Sequence, residues 1–264
     1  MRRNIVVTGV LLVLLSVAMG TSVMPPRSSG QREEAPPGSN KAYPPLEKTI
    51  PARMTEQQWA EFLSQFPVVN YDAAESNDPG EAVRRNAKSR RFDKHNFVSK
   101  DPANHVTMSV IHSDARASIP ALPTAASEAV VVGEVLDAQA HLSNDKTGIY
   151  SEFTIRVNEV LKAGGVNAAS ADGTIVATRI GGIVRYRNGH RRLHSISAEG
   201  MPRVGKQYVL FLESVGQDSY SILTGYELGA SGVTPVDYES QFAAYRGYEK
   251  EAFLKAVREA IARP

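Results

Sequence analysis

The chain has 264 residues, a net charge of +2 and no cysteine. The absence of thiols excludes disulfides, thiolate metal sites and a cysteine nucleophile, so a core alone must hold the fold. The near balance of charge argues against a globally basic nucleic-acid binder, and no nucleic-acid partner is expected.

Arg2 and Arg3 precede a nearly unbroken apolar run, Ile5 to Met19, which ends in the small-x-small string Ala18-Met19-Gly20. A basic start, a short apolar core and a small-residue end read as an export signal over residues 1–20. The mature protein is therefore expected to be exported, periplasmic or extracellular. A rival reading extends the apolar stretch through Val23 and Met24. Residues 5–24 are then an uncleaved anchor of about twenty residues, enough to span a bilayer. That segment is the only membrane contact expected. After the signal and a linker about 210 residues remain, ample for a core, since a 150-residue domain already buries about 70% of its unfolded surface.

Residues 21–53 read as a linker, with Pro25-Pro26, Pro36-Pro37, Pro44-Pro45 and Pro51 among Ser, Gly, Arg and Glu. Proline removes a backbone donor and fixes φ, which favours extended, solvated chain. In residues 54–105 a short helix comes first. Thr55 and Gln58 form a capping-box pattern, and Trp59, Phe62, Leu63 and Phe66 repeat at i, i+3, i+4, i+7. The stripe fits a helix packed on its own domain, or a docking helix for a partner. The rest of the segment reads as irregular and basic, with Arg84, Arg85, Lys88, Arg90, Arg91 and Lys94 in one run. Such a run is a solvated helix face or loop, or it attracts an acidic surface.

From about residue 106 the texture is β. Val106–His112 reads as a first strand. Ala129–Leu136 is a β-branched run whose internal Gly133 marks a bulge or bend. In Ile149–Val157, Ile149, Phe153, Ile155 and Val157 share one face, and Glu152, Thr154, Arg156 and Asn158 the other. One apolar and one polar face suits an antiparallel sheet. Thr174–Ile180 is another strand, and Gln207–Leu212 with Ser219–Tyr226 a hairpin around Gly216. Residues 237–264 end in a helix with Phe253, Leu254, Val257 and Ile261 on one side.

The strings AVVVGEV, IYSEFTIRVNEVLK, GGIV, VGKQYVLFLES and YSILTGYELG, spread over residues 120 to 235, resemble exported bacterial β-domain proteins that generally lack an assigned function. Their strand order and glycine placement are also similar to the OB-like barrel of netrin-like domains, which include the tissue inhibitors of metalloproteinases. That likeness implies a small antiparallel OB-like barrel of five to seven strands over residues 106–236. Inhibition does not carry over, because in those inhibitors an N-terminal cysteine does the work and this chain has none. The fold class expected is thus mainly β, with a short N-terminal helix and a C-terminal helix.

Asn188-Gly189 between two extended runs is the sharpest local signal. A two-residue type I′ turn needs φ > 0 at both positions, which Asn and Gly tolerate. The register then sets Arg187 against His190, Tyr186 against Arg191, Arg185 against Arg192, Val184 against Leu193 and Ile183 against His194. Arg185, Arg187, His190, Arg192 and His194 would share one face with Ile183. Arg185 opposite Arg192 is a like-charge pair that costs a few tenths to about 1 kcal/mol. An anion between the two guanidinium forks would relieve it. The alternative is a solvated ribbon whose charges prevent edge-to-edge pairing.

Other candidates are weaker. His190 and His194 have H-x3-H spacing, but on a strand they stand roughly 13 Å apart and cannot share a metal. His105 and His112 meet the same objection. Ser143-Asn144-Asp145-Lys146-Thr147-Gly148 contains S-x-x-K and K-T-G strings, explained by turn composition. No G-x-S-x-G, H-E-x-x-H, P-loop or dinucleotide motif occurs. No cofactor, metal or catalytic residue is assigned. The sequence points to a non-catalytic binding or interaction module of the bacterial cell envelope. Its basic hairpin would meet an anionic envelope polymer or an acidic protein. A hydrolase with a site assembled from separate loops, and a protein inhibitor acting through a loop, remain the alternatives.

Overall fold

The computed structural model describes residues 55–73, 78–96, 98, 100, 108–111, 119–164, 173–215 and 219–263. The expected export signal, the Pro-rich linker, His105, His112 and Gly216 lie outside the described residues. In chain order the elements are α1 (Glu56–Ser64), β1 (Val68–Asn70), α2 (Pro79–Ser89), β2 (Met108–Ile111), β3 (Ala129–Leu142) and β4 (Ile149–Lys162). They continue with β5 (Thr174–Ile180), β6 (Gly182–Arg185), β7 (Arg191–Ile196), β8 (Gln207–Ser214), β9 (Tyr220–Gly229), β10 (Gly232–Pro235) and α3 (Lys250–Ala262). Single 3-10 turns follow α2 at Arg90–Phe92 and precede α3 at Phe242–Tyr245. The fold is mainly β.

Two sheets form. The larger runs β10-β9-β5-β4-β3-β8, and β9 pairs with β8 as well. Hydrogen-bonded pairings therefore pass from β3 to β4, β5, β9 and β8 and return to β3. All are antiparallel except β5 with β9, which run parallel over Ala177↔Tyr220 and Thr178↔Ser221. The smaller sheet is β1-β6-β7-β2, with β1 parallel to β6 and β2 parallel to β7. The strand expected as the first of the barrel thus belongs to this second sheet.

Alternation explains both layers of the core. On β3, Val131 and Val135 enter one cluster with Phe153, Ile155 and Val157 of β4 and Leu210 and Leu212 of β8. Their neighbours Val130 and Val132, with Val209 and Phe211, enter a second cluster on the opposite side. The continuous apolar runs AVVV and YVLFL are strands buried on both faces. α3 covers the second face with Phe253, Leu254 and Val257, around Tyr226 and Phe242. The helix begins at residue 250, capped by the Glu249 carboxylate, which accepts the Glu251 and Ala252 N–H groups. Phe66, just after α1, joins the first cluster, with Phe62 and Leu63 of α1 packed against it. Its capping box forms in full between Thr55 and Gln58. Trp59 is half-buried and stacks on Phe62 at 5.4 Å. The stripe packs on its own domain.

β3 pairs with β4 along one edge and with β8 along the other. Its register with β4 shifts at Val130/Val131, Val132/Gly133 and Val135/Asp137. A side chain at 133 would put its Cβ 2.6 Å from Ile155 Cγ2 and 2.9 Å from the Arg156 carbonyl oxygen. Only glycine permits that approach.

One buried ion cluster ties three segments together. Arg179 on β5 donates to Glu199 at 3.2 Å, to Asp237 at 2.6 Å and to the Gly200 carbonyl at 2.8 Å. Burial by itself would lower the Arg179 pKa, but the Asp237 and Glu199 carboxylates outweigh it and raise it above the ordinary value. Arg179 is therefore a permanent cation that pins the loop after β7 to the chain after β10.

Gly133→Ala is expected to lower stability by about 1–3 kcal/mol, the usual cost of overpacking. Urea denaturation with an unchanged m-value measures it.

Candidate functional site

β6 and β7 form the hairpin that Asn188-Gly189 marks, but with another turn and register. Gly189 has φ +82°, whereas Asn188 is not among the residues with positive φ. A type I′ turn needs both. The observed loop is Arg187-Asn188-Gly189, with Gly189 in the left-handed region. The Tyr186 N–H donates to the His190 carbonyl, and the Gly189 N–H to the Tyr186 carbonyl, each at 2.9 Å. Asn188 Oδ1 accepts the His190 N–H at 2.9 Å. This is a three-residue loop with a glycine bulge.

The extra loop residue shifts the pairing by one. Arg185 faces Arg191, Val184 faces Arg192, Ile183 faces Leu193 and Gly182 faces His194. A slip of one moves one strand's side chains to the opposite face relative to its partner. The five residues expected on a single face are therefore divided. Arg185 and Arg191 share the face of Ile183 and Leu193. Arg192 and His194 lie on the other face with Val184, and Arg187 belongs to the loop. The physical reason is burial. Ile183 and Leu193 are each 1% exposed and join the first core cluster. In the expected register Ile183 would have faced His194.

The individual environments follow. Arg185 and Arg191 are exposed. Arg187 is also exposed, and its Nε donates to Asp72 at 2.9 Å. A solvated pair of this kind is worth at most about 1 kcal/mol. Arg192 and His190 are half-buried, and His194 is fully buried. Tyr186 is buried among Val184, Val98 and Ala140, stacks on Tyr71 at 5.3 Å and lies 6.3 Å from the His190 ring. Burial raises the Tyr186 pKa, partly offset by the positive charge of Arg192. Lys146 sits over the Tyr71 ring at 5.3 Å.

Like charges still oppose each other, now as Arg185 against Arg191. The Tyr186–His190 hydrogen bond makes this neighbouring pair the non-hydrogen-bonded kind, where side chains are closest. The like-charge pair that an anion would relieve is Arg185 with Arg191.

The other sequence candidates have structural roles. The 143–148 segment is the β3–β4 turn. Its Asp145 carboxylate accepts from the Ser143 hydroxyl at 2.7 Å, the Thr147 hydroxyl at 2.8 Å and the Lys94 N–H at 2.8 Å. The Ser143 and Thr147 bonds hold its pKa well below the ordinary carboxylate range. Among the described residues no cluster of three or more His, Asp or Glu is placed to hold a metal, and no helix is long and apolar enough to cross a membrane. Of the basic run, Arg84, Arg85 and Lys88 lie on α2 and Arg90 and Arg91 in the 3-10 turn after it, so the helix-face reading holds for the first half of a segment expected as irregular. Asp78 caps α2, accepting the Gly80 N–H at 2.8 Å, and Pro79 opens its first turn. Asp-Pro ahead of Glu81 was the available signal.

A cysteine pair tests the register in a chain with no native thiol. Non-hydrogen-bonded partners fall within disulfide reach. Arg185→Cys with Arg191→Cys is expected to oxidise to an intramolecular disulfide, while Arg185→Cys with Arg192→Cys stays reduced; mass spectrometry reads both. No protein-family model matches the chain, and no curated protein matches it either.

Proposed function

We propose that the chain is an exported binding or interaction module of a bacterial cell envelope, built on an OB-like closed barrel. The barrel consists of β3, β4, β5, β9 and β8. Support comes from pairings that return to their starting strand and from the parallel contact of β5 with β9. Side chains such as Val131, Phe153, Ile155, Leu210 and Ile222 fill the first core cluster. A filled interior favours recognition at the surface over carriage of a small molecule. The export signal read in residues 1–20 supports the location.

The contact is the tip of the β6–β7 hairpin, and its ligand is an anionic envelope polymer or an acidic protein. The carrying observation is Arg185 held opposite Arg191 with both side chains exposed. Arg187 adds a third cation, lightly engaged with Asp72. Guanidinium forks suit carboxylate and phosphate oxygens. A hydrolase gains no support from the shallow cavity of about 270 Å³ near α1, whose lining of Ser64, Gln65, Phe66, Pro67, Ala138, Pro202, Arg203 and Val204 includes no histidine and no carboxylate.

Retention on an immobilised anionic polymer tests the reading. Arg185→Ser with Arg191→Ser is expected to weaken binding at least tenfold, since each hydrogen bond to a charged group contributes about 1.5–3 kcal/mol. Arg192→Ser, on the opposite face, is expected to bind as the parent does. Equal retention of the double variant and the parent would overturn the assignment.

A further inference from the structure

We infer that α2 and the turn after it form a strap over the outer face of β3, β4 and β5 that is released by acid through protonation of His141. The strap reaches every neighbour it crosses. The Ser89 hydroxyl hydrogen-bonds the Tyr150 hydroxyl at 2.8 Å, and Phe92 stacks on the Tyr150 ring at 4.1 Å. Lys88 pairs with Glu152 of β4 at 2.7 Å. Arg91 donates to Thr178 of β5 at 3.3 Å and to the Val215 carbonyl beyond β8 at 2.6 Å. Asn144 of the β3–β4 turn donates to the Asn86 carbonyl at 2.9 Å. Phe92 is the principal apolar anchor; polar pairs carry the rest of the docking.

Glu152 is the centre of these pairs, and it serves two groups. One oxygen meets Lys88; the other lies 3.7 Å from His141 Nε2. That nitrogen is buried and has no hydrogen-bond partner. Tyr150 and Glu152 face His141 from β4, and Glu81, Arg85 and Lys88 face it from α2. Arg85 is already paired with Glu81. A proton on His141 would add a third cation to a site with two carboxylates, and would compete with Lys88 for Glu152. Neutral His141 leaves Lys88 and Glu152 bound to each other, which keeps α2 docked.

Burial lowers the pKa of His141, opposed by Glu152 and reinforced by Arg85 and Lys88. Departure of α2 removes both cations and lets water in, so the ring returns toward the ordinary value of about 6.5. The undocked state therefore binds the proton more tightly than the docked one. Docking is complete above about pH 6.5 and weakens as pH falls below it, by up to tenfold per pH unit, until the docked ring also titrates. Release uncovers Tyr150, Glu152, Thr178 and His141 on the sheet face.

Amide hydrogen exchange on the full chain, corrected for intrinsic rates, measures the opening of α2 against α3. From pH 7.5 to pH 5.0 the protection of α2 is expected to fall more than tenfold while that of α3 holds. His141→Gln is expected to flatten this dependence. Protection of α2 that ignores pH, or that falls equally in His141→Gln, would overturn the inference. Lys88→Met gives an independent reading by ring proton NMR. The His141 titration is expected to move upward when the cation is removed, and an unmoved midpoint would contradict the mechanism.

Discussion

The approach of β3 to β4 at Gly133 is the constraint on which the rest of the structure depends. Ile155 and the Arg156 carbonyl occupy the space that any Cβ at 133 would need. The register with β4 shifts beside this point, while β8 pairs with the other edge of β3 in a continuous register. Alternation along the strand lets adjacent valines feed two cores. Val131 points to the cluster that α1 closes, and Val132 to the cluster that α3 covers. β8 brings β9 with it, and β9 reaches both β5 and β10. The hairpin that carries the exposed arginines leaves this framework directly after β5.

Two polar centres lie against that framework, and their balance differs. Arg179 has two carboxylates, Glu199 and Asp237, for one guanidinium, all buried. Breaking a buried arrangement of this kind typically costs 3–5 kcal/mol. Glu152 is the reverse: one carboxylate lies beside Lys88 and His141. The first centre keeps its cation, because the carboxylates hold the Arg179 pKa above its ordinary value. The second changes its balance with one proton, which is why release is assigned to α2 and not to the loops around Arg179.

Much of the β architecture was legible because burial on one or both faces writes a period-two pattern. Thr174–Ile180 has the expected bounds, and Gly133 marks a register shift as a glycine inside a β-branched run should. The hairpin itself was legible from Asn188-Gly189, but its register was not. Local turn chemistry favours a two-residue turn, whereas the burial of Ile183 against Leu193 selects a three-residue one. That preference belongs to the core and is invisible in the dipeptide. β1 was missed because three residues leave no period to read. α2 was legible only as one of two readings of the basic run, a helix face or a loop, because the groups that dock it, Lys88 and Ser89 with Arg91 of the following turn, are polar and leave no apolar stripe. Of the basic run, Lys88 pairs with the chain's own Glu152.

The proposed contact for an anionic ligand is Arg185, Arg187 and Arg191 on the β6–β7 hairpin. Titration of the isotopically labelled full chain with a soluble polyanion, followed by amide chemical shifts, tests this most directly. The account predicts shifts concentrated at residues 185–191 at low salt, reversed as salt screens the charges. Shifts confined to other basic surfaces, such as Arg84 on α2 and Arg90 in the turn after it, with 185–191 silent, would contradict it.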